Sequence, residues 1–124
     1  MLAASDVMCV IPTRDPERAR AFYEGALGLP VVVDDGFATV LKANNATIRL
    51  TKVAELQPHP FTLLGWEVSD MEGTVRSLAE RGVMFERLPG VEQDELGIWS
   101  VPGGMGKVDW FKDPDGNLLS LSLH

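Results

Sequence analysis

The sequence predicts an α+β fold of two tandem βαβββ modules, whose curved mixed sheets surround a cleft. Two helix starts, at Asp15 and Asp70, lie 55 residues apart, and the glycines that follow the helices, Gly28 and Gly82, lie 54 apart. Strand patterns surround both helices, and a repeat at this spacing is typical of a duplicated structural unit. We therefore expect a single domain, 1–124, with modules at about residues 1–56 and 60–124.

Each predicted helix begins at an aspartate. The Asp side chain accepts hydrogen bonds from the free N–H groups of the first turn. Pro16 and Glu17 strengthen the first start, because proline fits the first turn and a carboxylate complements the helix dipole. The apolar stripes that follow are Ala19, Phe22, Tyr23 and Ala26 in the first helix, and Met71, Val75, Leu78 and Ala79 in the second.

Apolar and alternating runs predict the strands. In the first module they span residues 6–11, 30–33, 37–42 and 46–52. In the second they span residues 61–69, 83–88, 98–101, 107–112 and 118–123. The segment 55–60 contains two prolines and separates the modules, while the long segment 89–106 is rich in glycine and acid, a pattern typical of a lid.

Composition excludes several classes of partner. The chain has 11 basic and 18 acidic residues, a net charge of −7, which disfavours nucleic acid because phosphate backbones are repelled. No run approaches the roughly 18 apolar residues of a membrane helix, and no secretion signal is recognisable at Met1. Cys9 is the only cysteine, so no internal disulfide forms. We expect a cytoplasmic protein without membrane partners.

Two segments carry a resemblance to a known family. The first is DPERARAFY at 15–23 with LGLP at 27–30, and the second is WFKDPDGNLL at 110–119. Together with the order of elements, they resemble the vicinal oxygen chelate superfamily, which contains glyoxalases, extradiol dioxygenases and bleomycin-resistance proteins. The resemblance implies the paired-module fold and a small-molecule cleft. The Pro114 and Gly116 pair of the second segment predicts a tight turn, so we assign its aspartates no catalytic role.

The resemblance also implies where a metal ion would bind. Metal-dependent members place His or Glu at four inward strand positions, and the matching residues here are Met8, Arg49, Leu63 and Ser120. None of these side chains is a usual ligand for a divalent ion, and the fixed positive charge of arginine repels one. The two histidines, His59 and His124, lie at unsuitable positions. We therefore expect a cleft without metal or other cofactor.

Strand alternation then groups the side chains that are expected to line the cleft. They are Met8, Val10, Thr47, Arg49, Thr51, Leu63, Glu67, Ser120 and Ser122. Arg49 either binds a ligand anion, pairs with Glu67 or lies in solvent, and Glu67 either meets a cationic ligand or lies in solvent. Trp99 either stacks on a ligand or packs in the core, Trp66 is expected under a helix, and Asp109 remains undecided between cleft and solvent.

The sequence therefore predicts a protein that binds a small molecule without turnover. The ligand-binding residues are expected to be Met8, Arg49, Leu63, Glu67, Trp99, Ser120 and Ser122. By resemblance to the antibiotic-sequestering members, a homodimer is expected. One alternative is a lyase, isomerase or dioxygenase that uses a bound metal or Glu67 as a general base. The other is a protein-interaction module.

Overall fold

The computed structural model describes residues 1–124 and contains two four-stranded mixed sheets, each with one helix. It divides into two compact units, Met1–Gln57 and Pro58–His124. The α+β class and the order of elements predicted from the sequence are confirmed. The strand assignment at 83–88 is wrong. No helix is long and apolar enough to pass through a membrane.

The first unit contains β1 (Met8–Thr13), α1 (Pro16–Arg20), β2 (Val31–Asp34), β3 (Ala38–Ala43) and β4 (Ala46–Lys52). A π-helical turn, Ala21–Ala26, continues α1. The strand order is β1-β4-β3-β2, with β1 parallel to β4 and the other neighbours antiparallel. The second unit contains β5 (Leu64–Glu67), α2 (Met71–Glu80), β6 (Trp99–Ser100), β7 (Lys107–Lys112) and β8 (Leu118–Leu123), in the sheet order β5-β8-β7-β6.

Both predicted helix caps are present. Asp15 accepts a hydrogen bond from the backbone N–H of Arg18 at 3.3 Å, and Asp70 accepts one from Gly73 at 3.0 Å. Gly82 follows α2 with a φ of +91°, a conformation that favours glycine. The caps fix where each helix begins and therefore how its apolar stripe meets the sheet.

Each sheet buries one face against its helix. In the first unit Ile48 and Leu50 of β4 are 1% exposed, and Ala19 and Tyr23 from the helical segment are equally buried. In the second unit the buried residues include Met71, Val75, Phe111, Leu119 and Leu121. Because strand side chains alternate, the remaining residues of these strands lie on the opposite face, where the predicted ligand-binding residues are found.

The predicted strand at 83–88 forms only one bridge, between Phe85 and Phe111. A side chain replaces the neighbouring strand. The amide of Gln93 accepts a hydrogen bond from Leu88 N–H at 2.8 Å and donates to the carbonyl of Glu86 at 2.9 Å. Backbone groups that are hydrogen-bonded to a side chain do not need a neighbouring strand. The apolar pattern of the sequence does not distinguish these two ways of satisfying the backbone.

Candidate functional site

A polar row crosses the open face of the first sheet. Thr47, Arg49 and Thr51 alternate along β4, an interior strand, and all three are half-buried. Arg49 is paired in register with Val10 of β1 and Val40 of β3, so apolar side chains flank it on both sides. This arrangement places the cation of Arg49 between two apolar residues, on a face that also carries Thr47, Thr51 and Lys42.

The guanidinium of Arg49 has no hydrogen bond and no ion pair. Its charge contributes to lowering the pKa of Asp35, after the larger effect of the backbone N–H groups of Ala38 and Phe37 on that carboxyl. Glu67, the predicted alternative partner, forms hydrogen bonds with His124. Arginine carries five N–H donors in a planar fork that matches a carboxylate or phosphate. Arg49 is therefore available to an anion.

Met8 shares the open face with Arg49, as the sequence predicted. Met8 pairs with Thr47, and Val10 pairs with Arg49, in the parallel β1–β4 ladder. Met8 is 56% exposed and Val10 is 51% exposed. These exposed apolar side chains provide a surface against which the carbon skeleton of a ligand can pack.

The open face of the second sheet is aromatic and polar. Trp99 lies opposite Val108, and Trp110 lies opposite Ser120, so both indoles are on this face. Their ring centroids are 6.1 Å apart with the planes tilted by 31°. Both indoles are half-buried, and such a pair presents a surface on which a planar molecule can stack.

Ser120, Ser122 and Leu63 are on the same face as the two indoles. Ser120 is 7% exposed, because it lies between Gly65 of β5 and Trp110 of β7. A Cβ atom at Gly65 would lie 2.6 Å from Ser120 Oγ, so this strand position accepts only glycine without movement. Ser122 is half-buried and Leu63 is 39% exposed.

Glu67 is paired with the last residue of the chain. Its Oε1 accepts a hydrogen bond from the backbone N–H of His124 at 2.9 Å, and its Oε2 lies 2.9 Å from His124 Nδ1. These hydrogen bonds hold the pKa of Glu67 below its usual value. A general base needs a pKa near the working pH, so the pairing weakens Glu67 in that role.

Trp66 lies on the other face, as expected. It stacks on Phe111 with ring centroids 6.3 Å apart, and Phe111 is fully buried. Its pairing with Leu121 in the β5–β8 ladder fixes this orientation. Trp66 is therefore part of the packing beneath α2 and is not a ligand-facing aromatic residue.

The residues at the four family metal positions do not fit a divalent ion. Met8, Arg49, Leu63 and Ser120 supply a thioether, a cation, a hydrocarbon and one hydroxyl, whereas such ions require carboxylate or imidazole donors. No three His, Cys, Asp or Glu side chains gather into a group that could hold a metal. The donor chemistry therefore gives no basis for a step through a metal at these positions.

Sequence reasoning left Asp109 undecided, and the structure places it in neither predicted environment. It is completely buried on the face of β7 that carries Phe111, opposite to Trp99 and Trp110. Burial raises its pKa from 3.8 to about 7. Side chains alternate between the two faces of a sheet along a strand, so the face of Asp109 could have been predicted once the face of Trp110 or Phe111 was known.

A groove is present in each unit. One, of about 370 Å³, is lined by the predicted aromatic residue Trp99 together with Glu92, Gln93, Asp94, Ile98, Ser100 and Pro102. The other, of about 750 Å³, lies between the start of α1 and the β2–β3 turn and contains none of the predicted site residues. Arg20 in this larger groove is already paired with Glu24 and Asp34. The guanidinium of Arg20 is therefore less available to an anionic ligand than the guanidinium of Arg49.

Comparison with known proteins gives one family and many similar structures. The model of the Glyoxalase/Bleomycin resistance protein/Dioxygenase superfamily matches residues 7–121. A superfamily member from Sphaerobacter thermophilus DSM 20745 is 24% identical, with a TM-score of 0.74 and full coverage of both chains. TnmS3, an antibiotic binding protein from Streptomyces sp. CB03234, is 23% identical, with a TM-score of 0.72 and coverage of 99% of this chain and 98% of that one. No curated protein sequence matches significantly.

Proposed function

This chain belongs to the Glyoxalase/Bleomycin resistance protein/Dioxygenase superfamily, and on that premise we propose that it binds a small anionic molecule without transforming it. Arg49 holds the anionic group of the ligand. The observation that carries the proposal is Arg49, a half-buried residue paired in register with Val10 and Val40, whose guanidinium has no hydrogen bond or ion pair.

Physical chemistry supports an anion at this position. A partly desolvated cation gains most from an ionised partner, and a hydrogen bond to a charged group contributes about 1.5–3 kcal/mol. The hydroxyls of Thr47 and Thr51 flank Arg49 on the same strand face and can donate to the same anion. The exposed side chains of Met8 and Val10 favour a ligand that also has an apolar body.

On the second unit, the indoles of Trp99 and Trp110 give a surface for an aromatic molecule. They stand side by side on an open sheet face, and aromatic rings stack favourably on such surfaces. The similarity to TnmS3, an antibiotic binding protein, is consistent with a binding role. We infer from the surroundings of Arg49 that a carboxylate with an apolar body is the class of ligand to test first.

The alternative of catalysis by Glu67 has less support. Its pKa is lowered by hydrogen bonds from His124, so it binds a proton more weakly than an ordinary glutamate. The side chains at the four metal positions also lack suitable donors. Neither the metal route nor the general-base route is therefore favoured by a specific feature of this chain.

The test uses naphthoate and its neutral analogue naphthamide, with binding measured by isothermal titration calorimetry. We expect the native protein to bind naphthoate about tenfold or more tightly than naphthamide, since one charge-assisted hydrogen bond has this magnitude. Arg49→Gln removes the preference, and added salt reduces it. Arg76→Gln, an exposed arginine on α2, is the matched control and keeps it.

Two results would contradict this proposal. Equal affinity for naphthoate and naphthamide in the native protein would remove the role of Arg49, as would a preference that survives Arg49→Gln. Stoichiometric zinc, manganese, iron or nickel in purified protein, measured by mass spectrometry, would restore the metal-dependent enzyme as the better explanation.

A further inference from the structure

Asp109 is a buried carboxyl group with one oxygen left without a partner. Its side chain is 0% exposed, its Oδ1 accepts a hydrogen bond from the N–H of Trp110 at 2.8 Å, and its Oδ2 has no hydrogen bond. Buried carboxylates are normally paired with a cation or fully hydrogen-bonded. The proposed ligand-binding role does not use this residue, which lies on the opposite face of the sheet.

A loop covers this carboxyl group. We call residues 86–98 the Gln93 loop, because the Gln93 amide connects its two ends. Gln93 Nε2 donates to the carbonyls of Glu86 and Gly97, at 2.9 and 2.6 Å, and Arg87 donates to the carbonyls of Asp94 and Glu95. A backbone hydrogen bond from Glu86 N–H to the Trp110 carbonyl, at 2.8 Å, joins the start of the loop to β7. Residues 87–98 belong to no strand of the sheet, so this part of the loop can open without breaking the sheet.

The loop contacts Asp109 through Gly97. A Cβ atom at Gly97 would lie 2.9 Å from Asp109 Oδ1 and 3.4 Å from Oδ2, and its φ of +89° also favours glycine. The Asp94 carboxylate accepts hydrogen bonds from the N–H groups of Leu96 and Ile98, both at 2.9 Å, and fixes the backbone around this contact. In the closed loop, the backbone of Gly97 therefore packs directly against the buried carboxyl group of Asp109.

The surroundings favour the neutral form of Asp109. Burial has the largest effect and raises its pKa, whereas the hydrogen bond from Trp110 N–H lowers it; the Asp94 carboxylate also raises it and Arg87 lowers it. In the sheet, β8 places Leu121 opposite Asp109, and the buried residues of α2, Met71 and Val75, are also apolar.

Lys107 is the remaining charged group to consider. It occupies the same face of β7 two residues before Asp109. Its ammonium makes no ion pair and is not among the charges that act on this carboxyl. An ionised Asp109 therefore has no direct cationic partner while the loop is closed.

We propose that the Gln93 loop is a proton-dependent latch, which is closed over the neutral carboxyl group of Asp109 and opens to water when that group releases its proton to solvent. Opening exposes Oδ2 to water, and hydration then stabilises the negative charge, which has no hydrogen-bond partner at Oδ2 in the closed state. Trp99 directly follows the loop and lines the 370 Å³ groove together with Asp94, so the latch changes the shape of that groove. The proposal does not depend on what the protein binds.

Hydrogen exchange of the Leu96 and Ile98 amides tests the latch. Their protection factors, corrected for the intrinsic pH dependence of exchange, should fall about a hundredfold between pH 5 and pH 8 and level off above pH 8, because the open state ionises near the ordinary Asp value. They should also stay at least tenfold below the protection of Leu121 in β8, since opening is local.

Asp109→Asn removes the proton and keeps the shape of the side chain. We expect the protection of Leu96 and Ile98 to become independent of pH in this variant. Glu92→Gln is the matched control, because it removes one negative charge from an exposed position of the same loop, and it should keep the native pH dependence.

The latch is refuted if Asp109→Asn keeps the native pH dependence, or if the loop amides exchange only together with Leu121. If Asp109→Asn does not fold, carbon NMR of the native protein decides instead. A carboxyl titration of Asp109 well above the ordinary range supports the latch, and a titration near pH 4 overturns it.

Discussion

The global stability of the second unit should decrease as the pH rises from 5 to 8, because of Asp109. The pKa of this carboxyl is raised from 3.8 to about 7 in the folded chain, so the folded state binds more protons than the unfolded state between these values. Stability therefore falls as the pH rises through this range and is constant above it. This sign is the opposite of that for an aspartate stabilised by an ion pair.

The magnitude follows from the size of the shift. Three units at about 1.4 kcal/mol each amount to a total loss of about 4 kcal/mol, of which about 2.5 kcal/mol falls between pH 5 and pH 8. This is an upper value, since opening of the Gln93 loop hydrates the carboxylate. Typical domains have about 5–15 kcal/mol of stability, so the change is measurable.

Urea denaturation at several pH values, followed by tryptophan fluorescence, measures this loss. All three tryptophans lie in the second unit, so the signal reports the part of the chain that contains Asp109. The other groups with shifted pKa values titrate outside the range of pH 5 to 8, and Glu67 and Cys9 are two of them. The pKa of Glu67 is lowered by His124, and the pKa of the Cys9 thiol is raised from 9.0 by burial.

Asp109→Asn should flatten this pH dependence, whereas Glu92→Gln should not. The asparagine amide lacks a full set of hydrogen-bond partners, which lowers the free energy of unfolding by about 1–3 kcal/mol at every pH. The decisive quantity is therefore the slope of the free energy of unfolding against pH. A native protein whose stability is constant or rises between pH 5 and 8 would refute the reasoning. So would an Asp109→Asn variant with the native slope.

Two further predictions concern the second unit. Asp113→Ala should lower the free energy of unfolding by about 2–4 kcal/mol, because the Asp113 carboxylate accepts hydrogen bonds from the buried N–H groups of Asp115 and Asn117, both at 2.9 Å, and the substitution removes this acceptor. Urea denaturation measures the loss, and a loss no larger than that of an exposed Asp6→Ala control contradicts the prediction. Gly65→Ala should cost about 1–3 kcal/mol, since its Cβ would lie 2.6 Å from Ser120 Oγ. Adding Ser120→Ala should recover part of that loss in the same assay, and no recovery would show that the contact is not the cause.

Local sequence signals determined most of the secondary structure. The caps at Asp15 and Asp70 act within three or four residues, and the strand predicted at 46–52 has those bounds. The Pro114 and Gly116 pair forms the expected turn, with Gly116 at a φ of +88°. Such features depend on neighbours along the chain, so they can be recognised in a single sequence.

Strand alternation also placed most of the candidate site. Met8 and Arg49 share one open face, and Ser120 and Ser122 share another, as a period of two predicts. Whether these residues bind a ligand, and whether the cleft and the homodimer form, remain predictions. The alternation fixes which side chains are neighbours and does not identify what they bind.

Only the tertiary structure decided the partners of charged and polar groups. Gln93 replaces a strand beside residues 86–88, Glu67 pairs with His124 across 57 residues, and Asp109 is buried under Gly97. Each depends on segments that are distant in sequence or on the path of an irregular loop. Hydrogen-bond satisfaction is a three-dimensional condition, so the sequence by itself determined the elements and their faces, and the fold determined which charges remain without partners.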